Sequence, residues 1–199
     1  MKFQPFPILL ILFFLLPQTS RADVWEAVDC AIYFSNDRRH FVKIVPACIQ
    51  AIESKKRRKR QVPDSCSGIG YQRRAPVAIV YSSDLPEHPL YYFNLVNALT
   101  PAQAFLSNDG KVLVTIDDWG GRGTSREVLA LYREGKRINN YALPEISPVS
   151  VDEYYRSISS IHWFGGLEFS NDKLIISFRT RSRDTIRRSF NLADCLIID

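Results

Sequence analysis

A tetrad made of a hydrophobic residue followed by Ser-Asn-Asp occurs three times in the chain, and it constrains the fold more than any other feature. The copies begin at Phe34, Leu106 and Phe169. Asn and Asp tolerate left-handed backbone dihedrals and bond to the backbone two residues on, so the tetrad is typical of a strand that turns into a hairpin. Three copies predict three related hairpins.

The segments that follow the tetrads repeat as well. Residues 111–116 (KVLVTI) match residues 173–178 (KLIISF) with period-two alternation and many β-branched side chains, whereas residues 41–44 are a weaker copy. A second signature, an aromatic residue two positions before a leucine, begins at 93, 141 and 190. This spacing is typical of repeat architectures in which each unit is a small antiparallel sheet.

The repeat predicts a fold of the all-β class, with three imperfect antiparallel β-meander units and one short inserted helix. The units form either a partial propeller-like arc or open twisted sheets. The predicted strands are 28–35, 40–46, 77–82 and 90–96 in unit one; 103–107, 111–117, 127–133 and 136–143 in unit two; and 165–170, 173–179 and 185–192 in unit three. Unit three is predicted to lack one strand. Residues 150–159 are predicted to form the helix, because Ser150 and Glu153 have capping-box spacing.

With these corners and strands, the chain resembles the blades of TolB-like and WD40-like bacterial β-propeller repeat proteins, in which a strand ends in Phe-Ser-Pro-Asp-Gly. Asn36, Asn108 and Asn171 stand where those blades have proline. Three units are fewer than the ~4 blades of a closed ring, so an open arc, a sandwich and a dimer that completes a ring all stay open. The resemblance implies a binding scaffold more often than an enzyme, although fold alone does not fix function.

Residues 1–22 have the pattern of a signal peptide. Lys2 precedes the apolar run 8–16, and Ser20-Arg21-Ala22 offers small residues at both positions that a signal peptidase reads. The run is far shorter than the ~20 residues that span a bilayer, so no transmembrane segment is predicted, and an uncleaved anchor is the alternative. The expected mature protein is residues 23–199, a single β-repeat domain in the periplasm or secreted.

Four cysteines in an exported chain predict two disulfides. Cys48 with Cys66 and Cys30 with Cys195 are the favoured pairs, and Cys30 with Cys48 is the main rival. No cysteine pair has CxxC spacing and the three histidines are scattered, so no metal site or cofactor is predicted.

Positive charge is concentrated in one segment, the run KKRRKR at residues 55–60. Outside this run and the predicted signal peptide, the chain has 18 basic and 21 acidic residues. A nucleic-acid binder usually spreads its basic residues over a face, so no nucleic-acid partner is expected. The run is interpreted as a solvated loop, a site for an anionic partner such as an acidic protein, a polyanion or a lipid headgroup, or a furin-type cleavage site.

In a meander, the loops after every second strand emerge on one side. These loops are residues 48–74, the segment DDWGGRG at 117–123 and the segment RTRSRD at 179–184, and the connector that carries His162 and Trp163 is expected beside them. The leading hypothesis is therefore an exported, non-enzymatic binding protein that presents a charged, aromatic loop face to a protein or polyanionic partner. The expected contact residues are Trp119, Arg122, Trp163, Arg179, Arg181 and Arg183.

Two alternative functions stay open. A glycan or ester hydrolase would use Asp117 or Asp118 with His162, because paired carboxylates and an imidazole can share protons. An assembly subunit would form a homo-oligomer through the edge of its incomplete last unit. If these residues have no catalytic role, Asp117 only begins a loop and His162 occupies a position in the hydrophobic core. The sequence contains no nucleophile elbow, HExxH helix or phosphate loop, which argues against an enzyme.

Overall fold

The computed structural model describes residues 29–47, 75–170, 173–192 and 197–198, and within them the chain forms three four-stranded antiparallel sheets and one two-stranded ribbon. Sheet I comprises β1 (Ala31–Phe34), β2 (His40–Val45), β3 (Val77–Ser82) and β4 (Pro89–Asn94). Sheet II comprises β5 (Pro101–Leu106), β6 (Val112–Asp118), β7 (Leu129–Arg133) and β8 (Lys136–Tyr141). The ribbon comprises β9 (Tyr155–Arg156) and β10 (Ile161–His162). Sheet III comprises β11 (Phe164–Ser170), β12 (Lys173–Arg179), β13 (Thr185–Asn191) and β14 (Ile197–Ile198). Neighbouring strands follow chain order in every large sheet, which confirms the all-β fold of three meander units.

Two details of the predicted elements are wrong. The third unit does have a fourth strand, β14, which pairs with β13 through only two residue pairs and is therefore too short to produce a periodic pattern. The helix predicted at 150–159 is a 3₁₀ turn (Val151–Glu153) followed by the ribbon. The short α-helix, α1 (Leu143–Ile146), comes earlier, directly after β8.

The first two tetrads form the same hairpin corner. The Ser35 hydroxyl donates to the Asp37 carboxylate at 2.8 Å, and the Ser107 hydroxyl donates to Asp109 at 2.6 Å. Each aspartate also accepts from the backbone N–H two residues later, at 3.1 and 3.0 Å. Gly110 closes the second corner in the left-handed region, with a φ of 69°. These bonds confirm the predicted role of the tetrad in both copies.

The strand pairing after the third tetrad differs from that after the second, and this shifts the register of the repeat. Phe169 pairs with Leu174, so this hairpin loop is two residues shorter than the one between Leu106 and Leu113. Leu113 is therefore the structural counterpart of Leu174. The residue-by-residue match between 111–116 and 173–178 is off by one position.

The three large sheets stack face to face with sheet II in the middle. One hydrophobic cluster joins sheets I and II and includes Val42 and Leu113, and a second joins sheets II and III and includes Val114 and Ile176. All seven residues of β6 are buried because the strand is covered on both faces. Each fully buried Val, Leu or Ile side chain contributes about 1.5–3 kcal/mol, so the two clusters hold the stack together.

Hydrogen bonds between neighbouring units define two rims of the stack. On the first, which we call the loop rim, the Ala47 N–H donates to the Leu99 carbonyl at 2.8 Å and the Ile161 N–H donates to the Arg122 carbonyl at 2.9 Å. On the opposite side, the turn rim, the backbone of the first tetrad donates to the Asn108 side chain at 3.2 Å. The loops after β6 and β12 therefore lie on one rim, as the meander predicts.

Candidate functional site

The loop rim is organised around Asp117, the penultimate residue of β6. Its backbone lies in the left-handed region, with a φ of 54°, and only 3% of the residue is exposed. The indole N–H of Trp163 donates to both carboxylate oxygens, at 3.0 and 3.2 Å, and the Gly123 N–H donates at 2.6 Å. The carboxylate thus joins the loop after β6 to the start of sheet III.

Burial raises the pKa of the Asp117 carboxyl from 3.8 to about 6, because desolvation penalises the charged form. The hydrogen bonds from Gly123 and Trp163 and the nearby Arg122 guanidinium lower the pKa, but they only partly offset the desolvation. Asp117 consequently gains its charge between mildly acidic and neutral pH.

Asp118 has a parallel structural role toward sheet I. Its carboxylate accepts from the Asn97 side-chain amide at 2.9 Å and from the Ala98 N–H at 3.1 Å. These bonds attach the connection between β4 and β5 to the end of β6. The two neighbouring carboxylates therefore point to different partners, one on each side of sheet II.

A small cleft of about 80 Å³ lies beside Asp117 at the junction of sheets II and III. Arg122, His162 and Phe164 contribute to its lining. This volume is far below the ~300 Å³ of a typical small-molecule site.

His162 and Trp163 have the opposite placement from the one that their sequence context predicts. His162 is exposed, and its ring centroid lies 5.5 Å from that of Tyr155. Trp163 is 0% exposed and packs against Phe178 in the core. The core position predicted for His162 is therefore wrong, and Trp163 is not an accessible contact residue in this structure.

The predicted arginines lie on the loop rim with exposed side chains. Arg122 is in the loop after β6, and Arg179, Arg181 and Arg183 end β12 or follow it. The Arg181 N–H donates to the Glu153 carbonyl at 2.7 Å, so the two loops are linked through the connector. Within the described ranges, none of these four guanidinium groups forms an ion pair with a carboxylate. Trp119 is half-buried on the same loop as Arg122.

The loop between β12 and β13 has a defined internal structure. The Thr180 N–H donates to the Asp184 carbonyl at 3.0 Å, and the Ser182 hydroxyl donates to the Asp184 carboxylate at 2.6 Å. Arg183 occupies the left-handed region with a φ of 74°. The loop therefore presents its arginines from a hydrogen-bonded turn, which lowers the entropy lost on binding.

The ribbon supplies exposed residues on this rim that the sequence did not indicate. Tyr155 is 60% exposed, and Ile158 at the tip is fully exposed. Arg156 is ion-paired with Asp152 at 3.1 Å. Two strands of two residues each give no hydrophobic periodicity, so only the recurrence of aromatic residues at 154–155 hinted at an element there.

Several predictions fall on residues that the structure does not describe. The signal peptide, the basic run at 55–60 and the cysteines Cys48, Cys66 and Cys195 lie outside the described ranges, and Cys30 has no disulfide partner among the described residues. In the described part of the chain, no cluster of His, Cys, Asp and Glu could hold a metal ion. The helices described there are too short to cross a membrane.

The fold and the rim together define a class of protein: an all-β stack of three antiparallel meanders with an arginine-bearing loop rim. Comparison with protein-family models, with curated proteins and with solved structures found no match.

Proposed function

We propose that this chain is a non-enzymatic binding protein that takes an anionic partner, an acidic protein surface or a polyanion, on its loop rim. One observation carries the proposal: hydrogen bonds join the loop after β6, the connector and the loop after β12 into one surface that carries four exposed arginines without an ion-pair partner in the described residues. Guanidinium groups bind carboxylates, sulfates and phosphates through paired N–H donors, which suits such a partner.

The electrostatics of the rim favour cooperation among the arginines. A single exposed ion pair contributes about 0–1 kcal/mol, so one arginine gives little affinity. Arg179, Arg181 and Arg183 alternate along one short segment, and Arg122 is carried by the adjoining loop. Glu153 and Asp184 also lie on this rim and reduce its net charge, which favours a partner with a defined pattern of charges.

Apolar and aromatic groups beside the arginines add contact area. Tyr155 stands next to the His162 ring, and the fully exposed Ile158 is at the tip of the same ribbon. Aromatic side chains beside arginine are typical of the residues that contribute most to protein interfaces. Trp119 remains a candidate contact, and the buried Trp163 supports the rim from within.

The hydrolase alternative receives less support from the geometry. Asp117 accepts hydrogen bonds from Trp163 and Gly123, and Asp118 accepts them from Asn97 and Ala98. Both carboxylates thus have structural partners, and the cleft of about 80 Å³ is too small for a sugar ring.

The test is a charge reversal on the rim with a matched control. We expect the chain to bind heparin, polyglutamate or both, with an affinity that falls as salt rises from 50 to about 300 mM, because screening weakens exposed charge contacts. The variant R179E/R181E/R183E should lose binding at least tenfold in fluorescence-anisotropy titrations. The control K136E/R137E/K173E changes the same charge on residues of β8 and β12 near the turn rim and should keep wild-type affinity. Equal loss in both variants, or no binding of either probe by the wild type, would overturn the proposal.

The proposal includes export to the periplasm or secretion, which rests on the pattern of residues 1–22. Intact-mass measurement of the protein recovered from expressing cells checks it. A chain that begins at Asp23 in the exported fraction is expected, and an intact chain retained inside the cell would contradict export.

A further inference from the structure

The two outer faces of the stack differ sharply in polarity. Among the described residues, sheets I and III each pack on sheet II through one face, so they are the end layers of the stack. Strand registry identifies the residues that point outward from sheet III as mainly polar: Glu168, Lys173, Ser177, Arg179, Arg187 and Ser189. A polar outer layer is how stacked repeats normally end.

The outward face of sheet I is apolar and aromatic instead. The residues that alternate with the buried Val42 and Val80 include Ile32, Phe34, Phe41, Ile79, Tyr81 and Tyr92. Lys43 is the one charged strand residue described on this face.

The aromatic rings on this face are already packed together. The ring centroids of Phe34 and Phe41 are 5.6 Å apart, and those of Phe41 and Tyr81 are stacked at 4.8 Å with planes only 10° apart. These rings form a packed aromatic surface, as expected of a layer that receives another sheet.

The size of this apolar patch, which is exposed in the single chain, indicates that another molecule covers it. Phe34 is 58% exposed and Tyr92 is 74% exposed, and at about 200 Å² per aromatic side chain these two residues alone expose roughly 250 Å². Ile32, 54% exposed, lies on the same face. A contiguous apolar patch of several hundred Å² marks an interaction site on a soluble protein.

We propose that the outer face of sheet I is a homodimer interface, in which two copies pack sheet I against sheet I around a twofold axis. The polarity of the two outer faces indicates which surface packs on sheet I. Head-to-tail stacking would press the charged face of sheet III onto the aromatic face and bury unpaired Glu168, Lys173 and Arg187. Sheet I against sheet I hides apolar area on both copies and closes the assembly. Each Lys43 then meets an aromatic-rich surface, where tyrosine and phenylalanine rings offer cation–π contacts.

The area predicts a dimer of moderate strength. A four-stranded sheet about 20 Å long and about 15–19 Å wide has a face of roughly 300–400 Å² in projection, and its side chains increase the accessible area. Two such faces amount to roughly 600–800 Å² in projection, so even with this increase the contact lies at or below the lower end of the ~1,200–2,000 Å² of stable interfaces. We therefore expect a dissociation constant in the micromolar range.

Sedimentation equilibrium of the purified chain between about 1 and 200 μM tests the interface, in 0.5 M NaCl so that contacts of the charged loop rim are screened. The wild type should dimerise, and Ile32→Glu should weaken dimerisation at least tenfold. The new carboxylate faces Lys43 across the strand pair, so the monomer fold is preserved. Tyr92→Glu is the second variant, because its 74% exposure makes it the least damaging to folding.

The matched control is Ile175→Lys on the outer face of sheet III, where the new charge faces Glu168. It should dimerise like the wild type. Far-UV circular dichroism and urea midpoints establish that each variant is folded. A wild type that stays monomeric to 200 μM would overturn the proposal and leave the face to another segment of the chain or to a different protein. Equal weakening by Ile175→Lys and Ile32→Glu would also overturn it, since the effect would then not be specific to sheet I.

Discussion

The hydrogen bond between Trp163 and Asp117 joins sheet III to the loop after β6, and its strength can be measured. Trp163→Phe removes the indole N–H that donates to both carboxylate oxygens at 3.0 and 3.2 Å while it keeps an aromatic ring in the core. A hydrogen bond to a charged group contributes about 1.5–3 kcal/mol, and the smaller ring leaves a cavity that costs roughly 1 kcal/mol more. We therefore expect the free energy of unfolding to fall by about 2.5–4 kcal/mol.

A double-mutant cycle separates the hydrogen bond from the packing. Asp117→Gly removes the carboxylate and keeps the left-handed backbone, which has a φ of 54° and which glycine adopts without strain. In the Asp117→Gly background, Trp163→Phe should lower the free energy of unfolding only by the cost of the cavity. The expected coupling energy is therefore about 1.5–3 kcal/mol.

Urea unfolding followed by far-UV circular dichroism is the assay, because the loss of a tryptophan alters the fluorescence signal itself. Phe178→Leu is the control, since Phe178 packs on Trp163 with centroids 5.3 Å apart but has no hydrogen bond to Asp117. Its coupling with Asp117→Gly should stay within about 0.5 kcal/mol. A coupling that small for Trp163→Phe would refute the reasoning, because the carboxylate would then not hold sheet III to the loop.

Two further predictions concern the pH dependence of stability and the turn rim. Since burial raises the pKa of Asp117 to about 6, the folded chain holds its proton more tightly than the unfolded chain. The resulting stability is fully present below pH ~4 and is lost as pH rises through about 6, with a change on the order of 1.4 kcal/mol per pH unit over that interval. Asp117→Asn should remove this pH dependence of the free energy of unfolding, which urea titrations from pH 4 to 7 measure. The same pH dependence in the variant and the wild type would contradict the prediction. Gly110→Ala should destabilise the chain by about 2–4 kcal/mol, because the φ is 69° and a Cβ atom would lie 2.6 Å from the His40 ring. Gly120→Ala is the control, because its φ is 88° and no atom lies within 4 Å of the new Cβ. It measures the backbone strain alone and should lower the free energy of unfolding by about 1 kcal/mol. Equal losses of stability at the two sites would show that the contact with the His40 ring is unimportant.

The repeat made most of the fold predictable from the sequence. Strand alternation and the spacing of the aromatic signatures located the long strands, and the tetrads at Phe34 and Leu106 located two corners. The same reasoning missed the register of the third unit, because its turn is two residues shorter and identical letters therefore occupy non-equivalent positions. It also missed β14, because two residues carry no period.

The candidate site was predictable in location but not in the role of each residue. The arginines of the loop rim follow from strand order, since a meander returns every second loop to the same edge. The burial of Trp163 and the exposure of His162 do not follow, because the strand pairing is irregular between Phe164 and Gly166 and the alternation cannot be extrapolated through it. The carboxylate of Asp117 has its structural partner 46 residues away, a distance that no local pattern encodes.

Strand composition also connects the stack within one chain to the proposed dimer. β6 is buried on both faces because sheets cover it on both sides, whereas β12 and β13 alternate and turn polar residues outward. β3, with the sequence VAIVYS, has the two-sided pattern of β6, yet among the described residues only its face toward sheet II is covered. A strand with one face in water is expected to alternate apolar and polar residues, as β12 does. The same burial that makes sheet II the middle layer of the chain therefore predicts that sheet I is an inner layer of an assembly.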